Sequence, residues 1–143
     1  MLTAAAPAPP VLAALPAYSA GSSKTLSWAA VSGATSYSAQ ISTSSNFAAN
    51  VVTQTVTVAY ATFSRLADGT TYYYRVAAVN GSGLSAYSNT VSSTQDTIAP
   101  GVTLDSPASG LSTGTNLVTV TGTASDARSG VSGVKVKIGR AHV

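Results

Sequence analysis

The chain has 143 residues, 45% of them apolar and only 8% charged, with a formal net charge of +3. That apolar share excludes a disordered chain, and no apolar run is long enough to span a membrane as a helix. Cysteine is absent, which excludes disulfides, thiolate chemistry and cysteine-based metal sites. Glutamate is absent too, leaving Asp68, Asp96, Asp105 and Asp126 as the only acids. The seven cations, Lys24, Arg65, Arg75, Arg128, Lys135, Lys137 and Arg140, are scattered along the chain. A nucleic-acid surface requires a clustered basic face, so that partner class is set aside.

Residues 1–8 are rich in Ala and Pro and read as a semi-extended linker. They lack the basic start of a signal peptide, and prolines interrupt the apolar stretch. Met1 is then expected to be an internal start within a longer reading frame. Residues 11–15 suit a short edge strand, which tolerates nearby prolines, and Gly21-Ser22-Ser23 a turn. Residues 24–28 alternate, with Leu26 and Trp28 on one face. Tyr37, Ala39 and Ile41 alternate with Ser38, Gln40 and Ser42 in the same way.

Val and Thr dominate residues 51–58, and residues 61–66 suit a further short strand. Asp68-Gly69 signals a turn. Residues 71–79 carry the clearest alternation, with Tyr72, Tyr74, Val76 and Ala78 on one face and Tyr73, Arg75, Ala77 and Val79 on the other. A loop at 80–83 leads to residues 86–91, which are expected to close the sheet. About seven short strands with frequent turns predict an all-β, antiparallel Greek-key sandwich.

Residues 9–95 resemble a fibronectin type III domain. Leu26 to Ser42, LSWAAVSGATSYSAQIS, looks like the second and third strands of that family, with its buried tryptophan at Trp28 and its third-strand tyrosine at Tyr37. Leu66 to Asn89, LADGTTYYYRVAAVNGSGLSAYSN, looks like its sixth strand with the flanking turns. Leu66 and Tyr72 have the spacing of a tyrosine corner, in which the Tyr hydroxyl bonds back to the backbone near the preceding turn. Asp96 to Pro100, DTIAP, looks like a boundary between bacterial immunoglobulin-like repeats. The segments VTLDSPASG (102–110), LVTVTGTASD (117–126) and SGVSGVKVK (129–137) resemble the opening of such a repeat. Val134 and Val136 are expected to face inward on its third strand. Residues 96–137 are therefore expected to form an incomplete second sandwich.

Ile138 to Val143, IGRAHV, are the residues that one reading frame of a common sequencing adapter encodes, followed by a stop. The two adapter bases before that frame require Lys, Gln or Glu at the preceding position, and Lys137 is there. Residues 138–143 are accordingly expected to be non-native, with the native frame truncated near Lys137. His142, the only histidine, then has no role.

Little chemistry remains. Nucleophilic catalysis requires an activated side chain and a base, and the serines have none in evident reach. The four aspartates lie apart in sequence, which disfavours a carboxylate pair. Calcium would require several oxygens from Asp96, Asp105 and Asp126 near the module junction, a possibility the sequence leaves open. Tyr73 points outward and could stack on a sugar, with Tyr60 and Tyr87 of undetermined facing; packing beside Arg75 is the simpler role. Asn80-Gly81-Ser82 matches a glycosylation sequon. No catalytic, metal or cofactor residue is assigned. The expectation is a non-catalytic spacer or adhesion module of a larger secreted or cell-surface bacterial protein. The alternative is an accessory glycan-binding module of an extracellular polysaccharide-degrading enzyme. Expected partners are neighbouring domains of the same polypeptide and protein or polysaccharide ligands, with no membrane insertion and a monomeric state.

Overall fold

The computed structural model describes residues 5–106 and 119–137. The chain forms two units, Met1–Thr97 and Ile98–Val143. All regular structure among the described residues is β-strand, in agreement with the expected all-β class.

The strands of the first unit are β1 (Tyr18–Ala20), β2 (Ser23–Ser27), β3 (Ser36–Ser42), β4 (Val52–Val56), β5 (Tyr60–Ser64), β6 (Thr71–Asn80), β7 (Gly83–Leu84) and β8 (Val91–Asp96). One sheet pairs β2 with β5 antiparallel, and a bridge from Leu12 to Trp28 extends it. The other has the order β1-β8-β6-β3-β4, with β7 hairpinned onto β6. Alternation turns one face of each sheet inward. Ala61 and Phe63 of β5, Tyr37, Ala39 and Ile41 of β3, and Tyr74, Val76 and Ala78 of β6 are all buried in one cluster with Leu12, Leu26 and Trp28.

Two aromatic contacts join the sheets. Trp28 meets Tyr37 edge-on, with ring centroids 5.3 Å apart, and Phe63 lies 6.0 Å from Tyr74. Tyr37 is also anchored at its tip, where its hydroxyl accepts the Val31 N–H at 2.8 Å. The tyrosine corner forms: the Tyr72 hydroxyl accepts the Ala67 N–H at 3.0 Å, just before the turn at Asp68-Gly69.

Two expected elements differ. Residues 11–15 do not make a regular strand, because the carboxamide of Asn89 stands in for a strand neighbour. It accepts the Leu12 N–H at 2.9 Å and donates to the Leu12 carbonyl at 2.8 Å. Past Pro16 the chain crosses to the larger sheet, where β1 runs parallel to β8. Residues 86–91 do not close the sheet either; β8 only starts at Val91. Ser85 exchanges bonds with Ala78 through its own N–H and hydroxyl, and Ser88 does the same with Val76. Two hydroxyls thus replace the carbonyls of a ladder. The segment spends three residues where β6 spends two, which throws it out of register as a bulge does.

The second unit contains β9 (Gly101–Ser106) and β10 (Thr121–Ser125), paired antiparallel with a register shift at Thr121/Gly122. Gly122 is required there: a Cβ would overlap the Thr103 carbonyl oxygen. Residues 131–137 form no regular strand, contrary to the expected third strand. They make no strand ladder with β9 or β10, although Val134 and Val136 do line one groove with Val102, Leu104 and Val120. The expected residues 107–118 and 138–143 lie outside the described residues.

Trp28→Ala removes the largest core side chain and should cost about 3–5 kcal/mol, read as a large fall in chemical-denaturation midpoint. Two tyrosines give a contrast. Tyr72→Phe deletes a bonded hydroxyl and should cost about 1 kcal/mol. The Tyr74 hydroxyl is fully buried with no hydrogen-bond partner among the described residues, so Tyr74→Phe should be neutral or stabilising. Burial, and secondarily the neighbouring Tyr72, pushes Tyr74 ionisation well above the usual tyrosine range. Above about pH 10 the unfolded chain releases a proton that the native state retains, so stability should fall as pH rises. The stability difference between Tyr74→Phe and wild type should be constant below that pH and widen above it.

Candidate functional site

The outward face of the larger sheet carries the most chemistry. Arg75 on β6 lies between two rings, its guanidinium carbon 4.0 Å from the centre of Phe47 and 3.9 Å from that of Tyr87. Its Nε donates to the Gln40 side-chain oxygen at 2.8 Å, from the register partner on β3. Each contact of a cation with a ring face contributes about 0.5–1 kcal/mol where water has access. Phe47 reaches this position from a loop in which its own φ is 55°, a left-handed backbone that costs a non-glycine residue about 1–2 kcal/mol. Burial of the ring against Arg75 offsets that strain.

Phe47 had no readable signal in the sequence, because it stands alone in a polar loop. Tyr87 had an undetermined facing, and the stack settles it. The structure does not assemble the expected aromatic candidates into one platform. Tyr73 sits on the outer face of the larger sheet, opposite Ser42 and Ser92. Tyr60 projects from the outer face of the other sheet, since its neighbour Ala61 is the one that points into the core. Tyr87 is engaged with Arg75.

The aspartates have separate tasks. Asp68 accepts the Thr97 N–H at 2.8 Å and the Thr97 hydroxyl at 3.1 Å, which ties the Asp68-Gly69 turn to the end of β8. Asp96 is buried, and its carbonyl accepts the Gly21 N–H. In the second unit, Asp105 lies beside the Ser106–Thr121 end of the hairpin, and Asp126 follows Ser125 at the Gly101 end. Four residues of extended strand separate those ends by roughly 13 Å. The Asp126 carboxylate accepts the N–H groups of Arg128 and Gly130 and the Ser129 hydroxyl. Those donors, the Arg128 N–H foremost, hold it below the usual carboxylate range. Among the described residues no three His, Cys, Asp or Glu side chains gather into a metal-holding group.

One serine does meet a lysine. Lys24 donates to the buried Ser19 hydroxyl at 2.9 Å, and Ser19 contacts the Ser93 hydroxyl at 2.7 Å. Ser93 in turn donates to the Pro16 carbonyl. This chain of bonds ties β2 to the β1–β8 pair. Ser19 and Ser93 are both buried, which leaves no room for a substrate carbonyl at either oxygen. A cleft of about 260 Å³ opens between β4 and β5, lined by Ile41, Val52, Gln54, Phe63, Arg65 and Tyr72 among others. It holds no carboxylate or imidazole. Asn80 of the sequon caps its own turn by accepting the Ser82 N–H at 2.8 Å. His142 lies outside the described residues.

With two facing sheets, a buried Trp28 and the Tyr72 corner in place, the chain compares directly with known families. The fibronectin type III domain model matches residues 13–94, and the chain belongs to that family. The bacterial Ig domain model matches residues 100–143. The human fibronectin type III domain containing protein 3 is similar over 76% of this chain and 98% of its own fibronectin type III domain structure, with 21% identity and a TM-score of 0.52. A β-1,2-glucanase from Parabacteroides distasonis is similar over 66% of this chain but only 13% of its own, with 25% identity and a TM-score of 0.51. A Fn3-like protein from Clostridium thermocellum is 27% identical over 66% of this chain and 96% of its own, with a TM-score of 0.47. No curated protein sequence matches the chain.

The dispersed carboxylates predict no calcium effect. Millimolar calcium should leave the melting temperature of the chain within a degree of its value in chelator, and calorimetric titration should show no saturable heat.

Proposed function

We propose that this chain is a non-catalytic structural and interaction segment of a larger extracellular or cell-surface bacterial protein. One observation carries the reading: a fibronectin type III match ending at residue 94 is followed directly by a bacterial Ig match from residue 100. Such sandwiches in series set the distance between other parts of a polypeptide. The chemistry is consistent with that task. Asp68, Lys24 and Arg75 are each engaged in holding strands or loops together. None faces a cleft with a second reactive group, which a catalytic site requires.

A second reading is favoured by one comparison, the similarity to a part of the β-1,2-glucanase. In that reading the first unit assists a polysaccharide-degrading enzyme and holds glycan on Tyr73. Affinity electrophoresis through gels containing soluble polysaccharides, β-1,2-glucan among them, separates the two. A spacer migrates unretarded in every gel. Retardation that Tyr73→Ala removes would replace the spacer reading with the glycan-binding one.

A further inference from the structure

The first unit has four sheet edges, and three of them are blunted. β1 is three residues long and follows Pro16. The segment bridging to β2 is flanked by Pro9, Pro10 and Pro16, and both backbone groups of Leu12 are taken by Asn89. The free side of β5 is capped by Gln54, whose amide donates to the Thr62 carbonyl at 3.0 Å. Short strands, prolines and capping groups are the means by which sheet proteins avoid pairing edge to edge.

The fourth edge has none of these. β4 is five residues long and pairs with β3 in unbroken register. On its other side no strand pairs with it among the described residues. From Thr25 to Ser64 the chain carries no charged side chain, and Arg65, which follows β5, lines the cleft beside Val52 and Gln54. No proline lies in or beside β4. Val52, on the inward-facing side of β4, is 56% exposed.

The sequence of β4 also reads the same in both directions: Val52-Thr53-Gln54-Thr55-Val56. An antiparallel pair of identical strands about a two-fold axis at Gln54 places Gln54 opposite itself. Thr53 then faces Thr55 of the second copy, and Val52 faces Val56 of the second copy. Threonine pairs and β-branched pairs are favourable cross-strand neighbours. A two-fold contact requires such a self-complementary patch.

We propose that β4 is a docking edge for a second copy of this chain, joined antiparallel about Gln54 so that two larger sheets become one continuous sheet. This goes beyond the spacer reading and replaces the monomer expected from sequence. A five-residue pairing is weak in isolation, and chains displayed side by side on a surface would be held together by effective concentration.

Two variants test the register: both carry T53K and so lose the Gln40 bond to the Thr53 hydroxyl alike, and they differ only at Thr55, which is exposed on the outer face. T53K/T55K sets Lys against Lys in the paired copies and should weaken self-association by about tenfold or more. T53K/T55E sets Lys against Glu and should tighten it. Sedimentation velocity of the full chain over a concentration series reads both, with circular dichroism melts to show that each variant is folded. The cysteine-free background allows a second readout: Gln54→Cys should form a disulfide-linked dimer on oxidation, while Thr62→Cys on β5 should not. A wild type that stays monomeric throughout would overturn the proposal. So would association equal in the two double variants, which would place the contact elsewhere.

Discussion

The edge-on contact of Trp28 with Tyr37 is one of two aromatic contacts that hold the two sheets of the first unit together, and the rest of the core is arranged around it. Trp28 follows directly after β2, and Tyr37 lies near the start of β3 in the opposite sheet. With both rings fixed, the alternation of each strand determines which of its residues point inward. Ile41 follows from Tyr37 along β3, and Leu26 from Trp28 along β2. Beside Tyr37 and Ile41 in the same sheet, Ala78, Val76 and Tyr74 fill the middle of β6 and face Leu26. The hydroxyl of Tyr37 then fixes the turn at Val31, so one side chain serves both the core and the connection between sheets.

The readable parts of this fold were those with a period. β3 and β6 alternate in sequence, and Tyr37, Ala39, Ile41, Tyr74, Val76 and Ala78 are buried as that alternation indicates, while Ala77 and Ser42 are buried on the other face. The tyrosine corner was readable through the resemblance to the fibronectin type III family, which places it at Leu66 and Tyr72. The unread parts depend on side chains acting as backbone. Nothing in the sequence distinguishes Asn89 as the partner of Leu12 from any other loop asparagine. Ser85 and Ser88 likewise look like ordinary loop residues until their hydroxyls are seen taking the N–H groups of Ala78 and Val76. β1 has only three residues, too few for any pattern, and its parallel pairing comes from the chain crossing at Pro16.

On the outer face the same limit applies to function. A tyrosine on an alternating strand can be placed outward, but its freedom cannot. Tyr87 lies against a guanidinium, with Phe47 on the other side, and so does not present its ring as a bare platform. In the second unit Val102 and Leu104 of β9 lie opposite Ala124 and Gly122 of β10, and both stay exposed. These side chains line a groove of about 440 Å³.

The parallel pairing of β1 with β8 has a mechanical consequence. β1 is the first strand of its unit and β8 the last, and they run in the same direction in register from Tyr18–Thr94 to Ala20–Asp96. Tension applied at the two ends of the unit pulls these strands in opposite directions along their common axis. The bonds from Thr94 to Ala17 and from Gly21 to Asp96 would then be strained together, in shear, rather than opened one after another like a zip. The Ser19–Ser93 contact and the Lys24 bond lie within the same zone and resist the same displacement. Resistance to stretching is governed by the rate of rupture and not by equilibrium stability. A stretched unit would therefore release the Leu12 segment from Trp28 and Asn89 first, and then hold its length until this short patch gives way.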